Sequence, residues 1–551
     1  MYSFIDPPEF ESIRLPSVAF PSPASIIRNV FVPGLILTAL FIVTAVLWDG
    51  SAGKPHQDRP ILLVLTLYLV AFAVAILTLR NAVRIPQHES ILKAIVAFGI
   101  VFRLIQLFSS PYLEIDIYRY LWDGIVLSEG VSPYQWSPAE ALADPNGTAS
   151  HQQIVDIANS SASVHTIASK IHFPQYTSIY PPVSQAIFGA TMWFVPNSAS
   201  PDLHLTSMKS VLVMFDLGTM FLVLSCLRLA GRHPNWILAY AWNPLVIKEV
   251  ANSGHLDSIA VFFVTAAVWV AMREFQSNST FRKRIAVVLA VLIGLGVGSK
   301  LFPVVLIPLI VTRIWKRGKA PAVVFGITVA VACVLVMSPM LAARSPDSSE
   351  HRNGLQGFLS KWRMNSLPFC FVYENVSKHN KRPEPWYSVI PKTLRQKIRE
   401  SVDLIPGRMS PANKAARLVT ISLFGATYFT FLIWRLRKDQ ELQSFPVDVF
   451  FVLTLFLFLQ PTVNPWYWTW VIPFACFVRK FGWHFVGGCL LIYYSRFWFQ
   501  FSNVTLNLGE VEYSGVGCFD HLVLWGEYAL LVAFVVFFSR LDAPYEGARD
   551  H

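Results

Sequence analysis

The sequence predicts an all-α polytopic membrane protein of about 14 transmembrane helices, built as one integral membrane domain over 1–551. Three observations predict it. Residues of the apolar and aromatic set make up 54% of the chain and charged residues only 14%, with a mean hydropathy of +0.47; a soluble chain of this size could not cover its surface with so little charge. Apolar runs of about 20 residues, long enough to span a bilayer, recur along the chain. Short turns rich in Lys and Arg alternate with turns that carry almost none, as the positive-inside rule requires.

The net charge of +11 therefore fits basic cytoplasmic turns facing anionic lipid, and nucleic acid is not an expected partner. Six cysteines are scattered, four of them (Cys226, Cys333, Cys476, Cys489) inside apolar runs. That is neither a disulfide framework nor a metal site; a meeting outside the membrane is open only to Cys370 and Cys518.

The first three spans fall at 28–48, 60–79 and 89–108, within a segment 27–108, and the first is too long for a signal peptide. Arg80 and Arg84 put the turn between the second and third in the cytoplasm, so the chain leaves the third span on the outer side. A long outer loop, 109–205, follows. Its apolar stretch 183–197 starts at a double proline and is expected to lie in the interface without crossing. The spans within 206–341 are read at 206–229, 234–251, 258–272, 285–298, 302–314 and 320–341. Their inner turns carry Arg228 and Arg232, then Arg273 to Arg284, then Arg313 to Lys319. A second outer loop spans 342–412. The C-terminal spans within 413–540 lie at 413–434, 446–460, 466–478, 482–500 and 521–539. Both termini are placed inside.

Read as a helix, Glu114-Ile-Asp-Ile-Tyr-Arg-Tyr-Leu-Trp-Asp-Gly124 puts Asp116, Arg119, Tyr120 and Asp123 on one face and Glu114 on the opposite side. The other outer turns carry His255, Asp257, Lys300, Trp362, Asn365, Asn464 and Trp466, whereas the short inner turns are mostly Lys and Arg. Arg103, Lys248, Glu249 and Arg496 lie within spans but lean outward, and intramembrane charges usually face a polar cavity. Together these point to a wet cavity open to the outer side. Blander readings stand beside each cluster. His255 and Asp257 could cap a helix starting near Ser258, Lys300 could snorkel at a helix break, and Asn464-Pro-Trp-Tyr-Trp468 could be an interfacial aromatic belt. Asp216 could be a satisfied structural aspartate. No zinc-type spacing, nucleophile elbow, phosphate loop or nucleotide fingerprint occurs, which argues against a sugar-nucleotide donor.

Ordered motifs between about 100 and 470 resemble the GT-C superfamily of membrane glycosyltransferases. They look closest to bacterial polyprenol-phosphate-mannose-dependent mannosyltransferases. These motifs are Asp116 to Gly124, Gly130-Val-Ser-Pro-Tyr134, Thr177-Ser-Ile-Tyr-Pro-Pro182, Trp242-Asn-Pro-Leu245, Ser253-Gly-His-Leu-Asp257, Lys300-Leu-Phe-Pro303, Trp362-Arg-Met-Asn365 and Pro465-Trp-Tyr467. More distantly the same order resembles the catalytic subunit of GPI mannosyltransferase I. Asn464 stands where a His is usual and Ser132 where Asn is common, departures that bear on sugar and acceptor identity. The resemblance implies inverting transfer of a sugar, mannose first, from a polyprenyl-phosphate carrier to a lipid-linked or glycan acceptor on the outer face of a bacterial cell membrane. It implies Asp116 as general base, with Arg119, Tyr120, Asp123, Tyr180, His255, Asp257, Lys300, Trp362, Asn365, Trp466 and Tyr467 binding substrate. Among these, Lys300, His255 and Arg119 would steady the leaving phosphate. No cofactor is expected; Glu114 with Asp116 is a thin ligand set for a divalent metal. The alternatives are a transporter or flippase for lipid-linked saccharides, and a polymerase or ligase. Alternating access would serve both faces, not one.

Overall fold

The computed structural model describes residues 27–143, 148–277, 280–343, 354–379, 384–407, 409–438, 442–538 and 540. It is built almost wholly from helices. Among the described residues, eight are long and apolar enough to cross a membrane: Arg28–Asp49, Ile61–Ala82, Glu89–Leu107, Pro201–Leu229, Asp257–Phe275, Lys319–Ala342, Pro411–Arg437 and Val516–Phe538. Two shorter apolar helices, Phe302–Trp315 and Ser444–Leu459, fall where further spans are expected. The helices used below are α1 (Val32–Asp49), α2 (Ile61–Ala82), α3 (Glu89–Leu107), α4 (Ile117–Ser128), α5 (Pro182–Trp193), α6 (Pro201–Leu229), α7 (Asp257–Phe275) and α8 (Lys283–Ser299).

Three expected spans are not continuous helices. Segment 234–251 is broken into a 3-10 turn at Pro234–Ile237, single turns at Leu238–Ala241 and Pro244–Val246, and a π-type turn at Ile247–Asn252. Segment 466–478 is a 3-10 helix over Pro465–Trp470 followed by one turn at Ile472–Ala475, and 482–500 is likewise divided. Prolines 234, 244, 465 and 473 each remove a donor where the run would have to continue. Most of the broken backbone is buried, which is where irregular backbone at membrane depth is tolerated. Stretch 183–197 folds as the short α5, of 12 residues, too short to span.

Several of the buried charges are paired. Asp216, in the middle of α6, accepts from the Arg103 guanidinium and the Tyr240 hydroxyl. Arg103 also donates to the carbonyls of Gly99 at 2.9 Å and Ala241 at 2.7 Å. Arg103 thus closes a structural pair within the bundle and does not face a polar cavity. Lys248 sits 3.2 Å from Glu249 Oε2, and Tyr494 donates to Glu249 Oε1 at 2.7 Å. Loop 342–412 contributes short helices at Gly354–Lys361, Leu367–Val376 and Lys392–Asp403. The last two pack against the start of the helix Pro411–Arg437 through a small apolar cluster of Val376, Val402, Ala412 and Ala415. A parallel bridge from Met364 to Thr462 joins this loop to the turn before Pro465. An antiparallel hairpin, Thr505–Leu508 paired with Val511–Ser514, is an element the all-α expectation lacked. Gly509 supplies the positive φ (62°) its tight turn needs. All six thiols are free.

Candidate active site

The site begins where the chain leaves α3. Leu113 takes a left-handed φ of 65°, so the helix starts only at Ile117, with Asp116 in the N-cap position. Glu114 therefore lies outside the helix. The helical face that set it opposite Asp116 therefore does not extend to it, and Asp116 adds to the cost of ionising Glu114. Burial first, then Asp116, pushes the Glu114 carboxyl up to about 8, while Lys248 pulls it down.

Asp116 is half-buried and makes no capping hydrogen bond. Enclosure holds its carboxyl above the usual range; His172 and Lys300 pull it back and Asp257 adds to the rise. A carboxylate with a raised proton affinity, a cation nearby and unused acceptor oxygens is suited to take a proton.

One turn further along α4, Arg119 Nε meets Asp123 Oδ1 at 2.7 Å. Asp123 is fully buried; its other oxygen accepts from Ser178 at 2.5 Å and Gln185 at 2.8 Å. With these donors in place, Asp123 holds Arg119 and has little left to offer a ligand. Arg119 Nη1 donates to the Tyr176 carbonyl at 2.9 Å, while Nη2 is buried without a partner. The network depends on α5 lying tight against α4. Gly124 makes that approach possible, since a Cβ there would stand 2.7 Å from the Phe188 carbonyl. Tyr120 fills the same interface, stacked on Phe188 (4.9 Å, 10°) and perpendicular to Tyr180 (4.9 Å, 90°).

Asp257 does not cap its helix: α7 begins at Asp257 itself and its N-cap is Leu256. The carboxylate instead binds Lys300 Nζ, both oxygens at 2.7 Å, and accepts from Trp470 Nε1 at 2.5 Å. Lys300 follows the last residue of α8, and its ammonium stands 4.7 Å over Tyr467 and 5.6 Å over Trp470. Tyr467 and Trp470 stack on each other at 4.4 Å. His255 lies flat on Trp466 (4.2 Å, 12°), 3.4 Å from Glu249. Burial, then Lys248 and Lys300, holds its imidazole well below the usual range. A neutral His255 can offer a phosphate an N–H but not a charge, and both ring nitrogens are buried without a hydrogen bond.

Asp116, Lys300 and Asp257 act on one another electrostatically, and Tyr120 feels both carboxylates. Tyr180 is linked to this group through Asp116, and Tyr467 through Asp116 and Asp257. Trp362 stands apart from this group, against Phe173 (4.8 Å) and Tyr176 (5.8 Å). Asn365, at a left-handed φ of 54°, is turned away: its amide donates to Val463 at 3.2 Å and to the buried Glu527 at 3.0 Å. Nearby, an apolar groove of about 750 Å³ runs along the last helix between Leu367, Tyr528 and Val536. Sequence reasoning missed His172, Ser178, Gln185 and Trp470. Trp470 was within reach: in a 3-10 helix residues three apart eclipse, so Tyr467 and Trp470 had to share a face. Among the described residues, no group of three or more His, Cys, Asp or Glu side chains is placed to share a metal ion.

Residues 42–316 match the model of the MptA_B family, described as alpha-(1->6)-mannopyranosyltransferase, N-terminal domain. The matched stretch includes Asp116, Arg119, Asp123, Tyr180, His255, Asp257 and Lys300. No curated protein and no solved structure matches the chain.

Proposed function

We propose, for a chain that over residues 42–316 belongs to the alpha-(1->6)-mannopyranosyltransferase family and is therefore a membrane glycosyltransferase, a specific reaction. It is inverting mannosyl transfer from a polyprenyl-phosphate-linked sugar to a glycolipid or glycan acceptor. We place it on the outer face of a bacterial cell membrane. The observation that carries this reading is Asp116: a half-buried carboxylate free of any cap hydrogen bond, with Lys300 and His172 among the groups that act on it.

The acceptor hydroxyl loses its proton to Asp116 as its oxygen bonds to the anomeric carbon. The bond from that carbon to the lipid phosphate breaks on the opposite side, and its electron pair leaves with the phosphate oxygen. One carboxylate suffices for such a single displacement, whereas retention by double displacement needs a second as nucleophile. Asp257 is not free for that part, being held by Lys300 and Trp470. Charge that grows on the phosphate is met by Lys300, by the unpartnered Nη2 of Arg119 and by an N–H of His255. Tyr120, Tyr180, Trp466 and Tyr467 wall the sugar. The apolar groove beside Leu367 and Tyr528 suits an isoprenoid tail lying in the bilayer. The broken segments 234–251, 466–478 and 482–500, with the two shorter apolar helices and α8, complete about 14 crossings in one domain. Purified protein given synthetic polyprenyl-phosphate α- or β-mannose and a mannoside acceptor tests this reading. Inverted product with release of polyprenyl phosphate is expected; retained configuration, or transfer only from a nucleotide sugar, overturns it.

A further inference from the structure

We infer that Phe173 and Trp362 form a subsite at the mouth of the site that binds a further pyranose ring of a glycan acceptor. The inference rests on the reading above that the chain moves mannose onto a glycan. Phe173 has a backbone φ of 56°, a left-handed conformation that a bulky side chain adopts only under constraint, and it directly precedes Pro174, which narrows its choices further. The residue is 54% exposed. A loop selected only for stability would place Gly or Asn there and would not present a phenyl ring to solvent.

The ring has a partner. Trp362 stands 4.8 Å away at 69°, so the two make an L-shaped corner. The corner is polar at its edges. Lys170 Nζ lies 3.4 Å from the Tyr118 hydroxyl, and Lys361 Nζ lies 3.1 Å from the Tyr176 hydroxyl. His172, next in the chain to Phe173, is exposed and acts electrostatically on Asp116. An apolar face bordered by the Lys361 ammonium and the Tyr176 hydroxyl matches a pyranose, which has one C–H face and a rim of hydroxyls. A lipid tail would meet those charges unfavourably. The corner is also fixed relative to the reacting centre. The Phe173 carbonyl accepts from Tyr176 N at 3.2 Å, and the Tyr176 carbonyl accepts from Arg119 on α4 at 2.9 Å.

The test measures binding of a manno-tetraoside and of methyl mannoside to the purified full chain without donor, read by Trp fluorescence and calorimetry. Wild type should prefer the longer probe, and Phe173→Ala should lose about three- to tenfold of that preference, the worth of one aromatic contact. Phe173→Tyr should keep it. Phe173→Gly separates function from fold: it relieves the left-handed strain, so its Tm should match or exceed wild type while the preference is lost. A Gly or Ala variant that keeps full length preference overturns the subsite, as does a wild type without any preference. A chain that binds the tetraoside yet transfers nothing would contradict the proposed reaction and leave the subsite standing.

Discussion

Lys300→Met separates the two jobs the geometry gives to this ammonium. In the folded protein it holds Asp257, which is 1% exposed on its side chain, while Lys300 itself is 19% exposed. Removing one partner of a buried pair costs about 3–5 kcal/mol, chiefly for the charge left behind. Here Trp470 still donates to Asp257, and a hydrogen bond to a charged group offsets about 1.5–3 kcal/mol. The net loss is about 2 kcal/mol, a fall of a few degrees in Tm. Lys300→Met with Asp257→Asn removes both charges and keeps an acceptor for Trp470, so most of the lost stability should return.

Ligand stabilisation reads the second job. At a hundredfold excess over Kd a bound ligand adds about 2.7 kcal/mol, so polyprenyl phosphate should raise the Tm of wild type in detergent measurably. The double variant should recover its unliganded Tm but not this shift. A single variant that melts like wild type would refute the structural pair. A double variant that keeps the full lipid-phosphate shift would refute the contact with the donor.

Three other outcomes follow from the same geometry. Glu114 titrates near 8 in the fold against a usual value of 4.5. Its raised value favours the protonated fold, a stability fully present below 4.5 and lost as pH rises through about 8; Tm should fall over that window in wild type and flatten in Glu114→Gln. Asp216→Leu leaves the Arg103 guanidinium buried without its carboxylate and should cost about 3–5 kcal/mol in chemical unfolding, most of it recovered when Arg103→Met is added. At the mouth, Phe173→Gly should lose glycan-length preference in the binding assay without losing Tm.

Much of the fold was legible because a bilayer imposes long apolar runs. The runs at 28–48, 60–79 and 89–108 lie in continuous helices. What stayed hidden was where apolar composition stops meaning helix. Segments 234–251 and 466–478 are apolar enough to read as spans, yet proline and tight packing break them into single turns. The face shared by Arg119 and Asp123 was readable from a four-residue offset. The start of α4 was not, because nothing in Leu113 announces a left-handed residue, and so Glu114 was counted into a helix that it precedes. Side chains far apart in sequence decided the rest. Asp257 reaches Trp470, and Asp123 reaches Gln185, through packing that no local pattern encodes.

In the proposed reaction Asp116 takes the acceptor's proton. Asp116→Asn keeps the shape and removes the base, so the decisive measurement is single-turnover mannosyl transfer from polyprenyl-phosphate mannose, with donor affinity measured in parallel. A rate lowered about 10²–10⁴-fold at unchanged donor affinity is the expected result. A variant that transfers at more than about a tenth of the wild-type rate would contradict the claim, because losing a general base costs more than that.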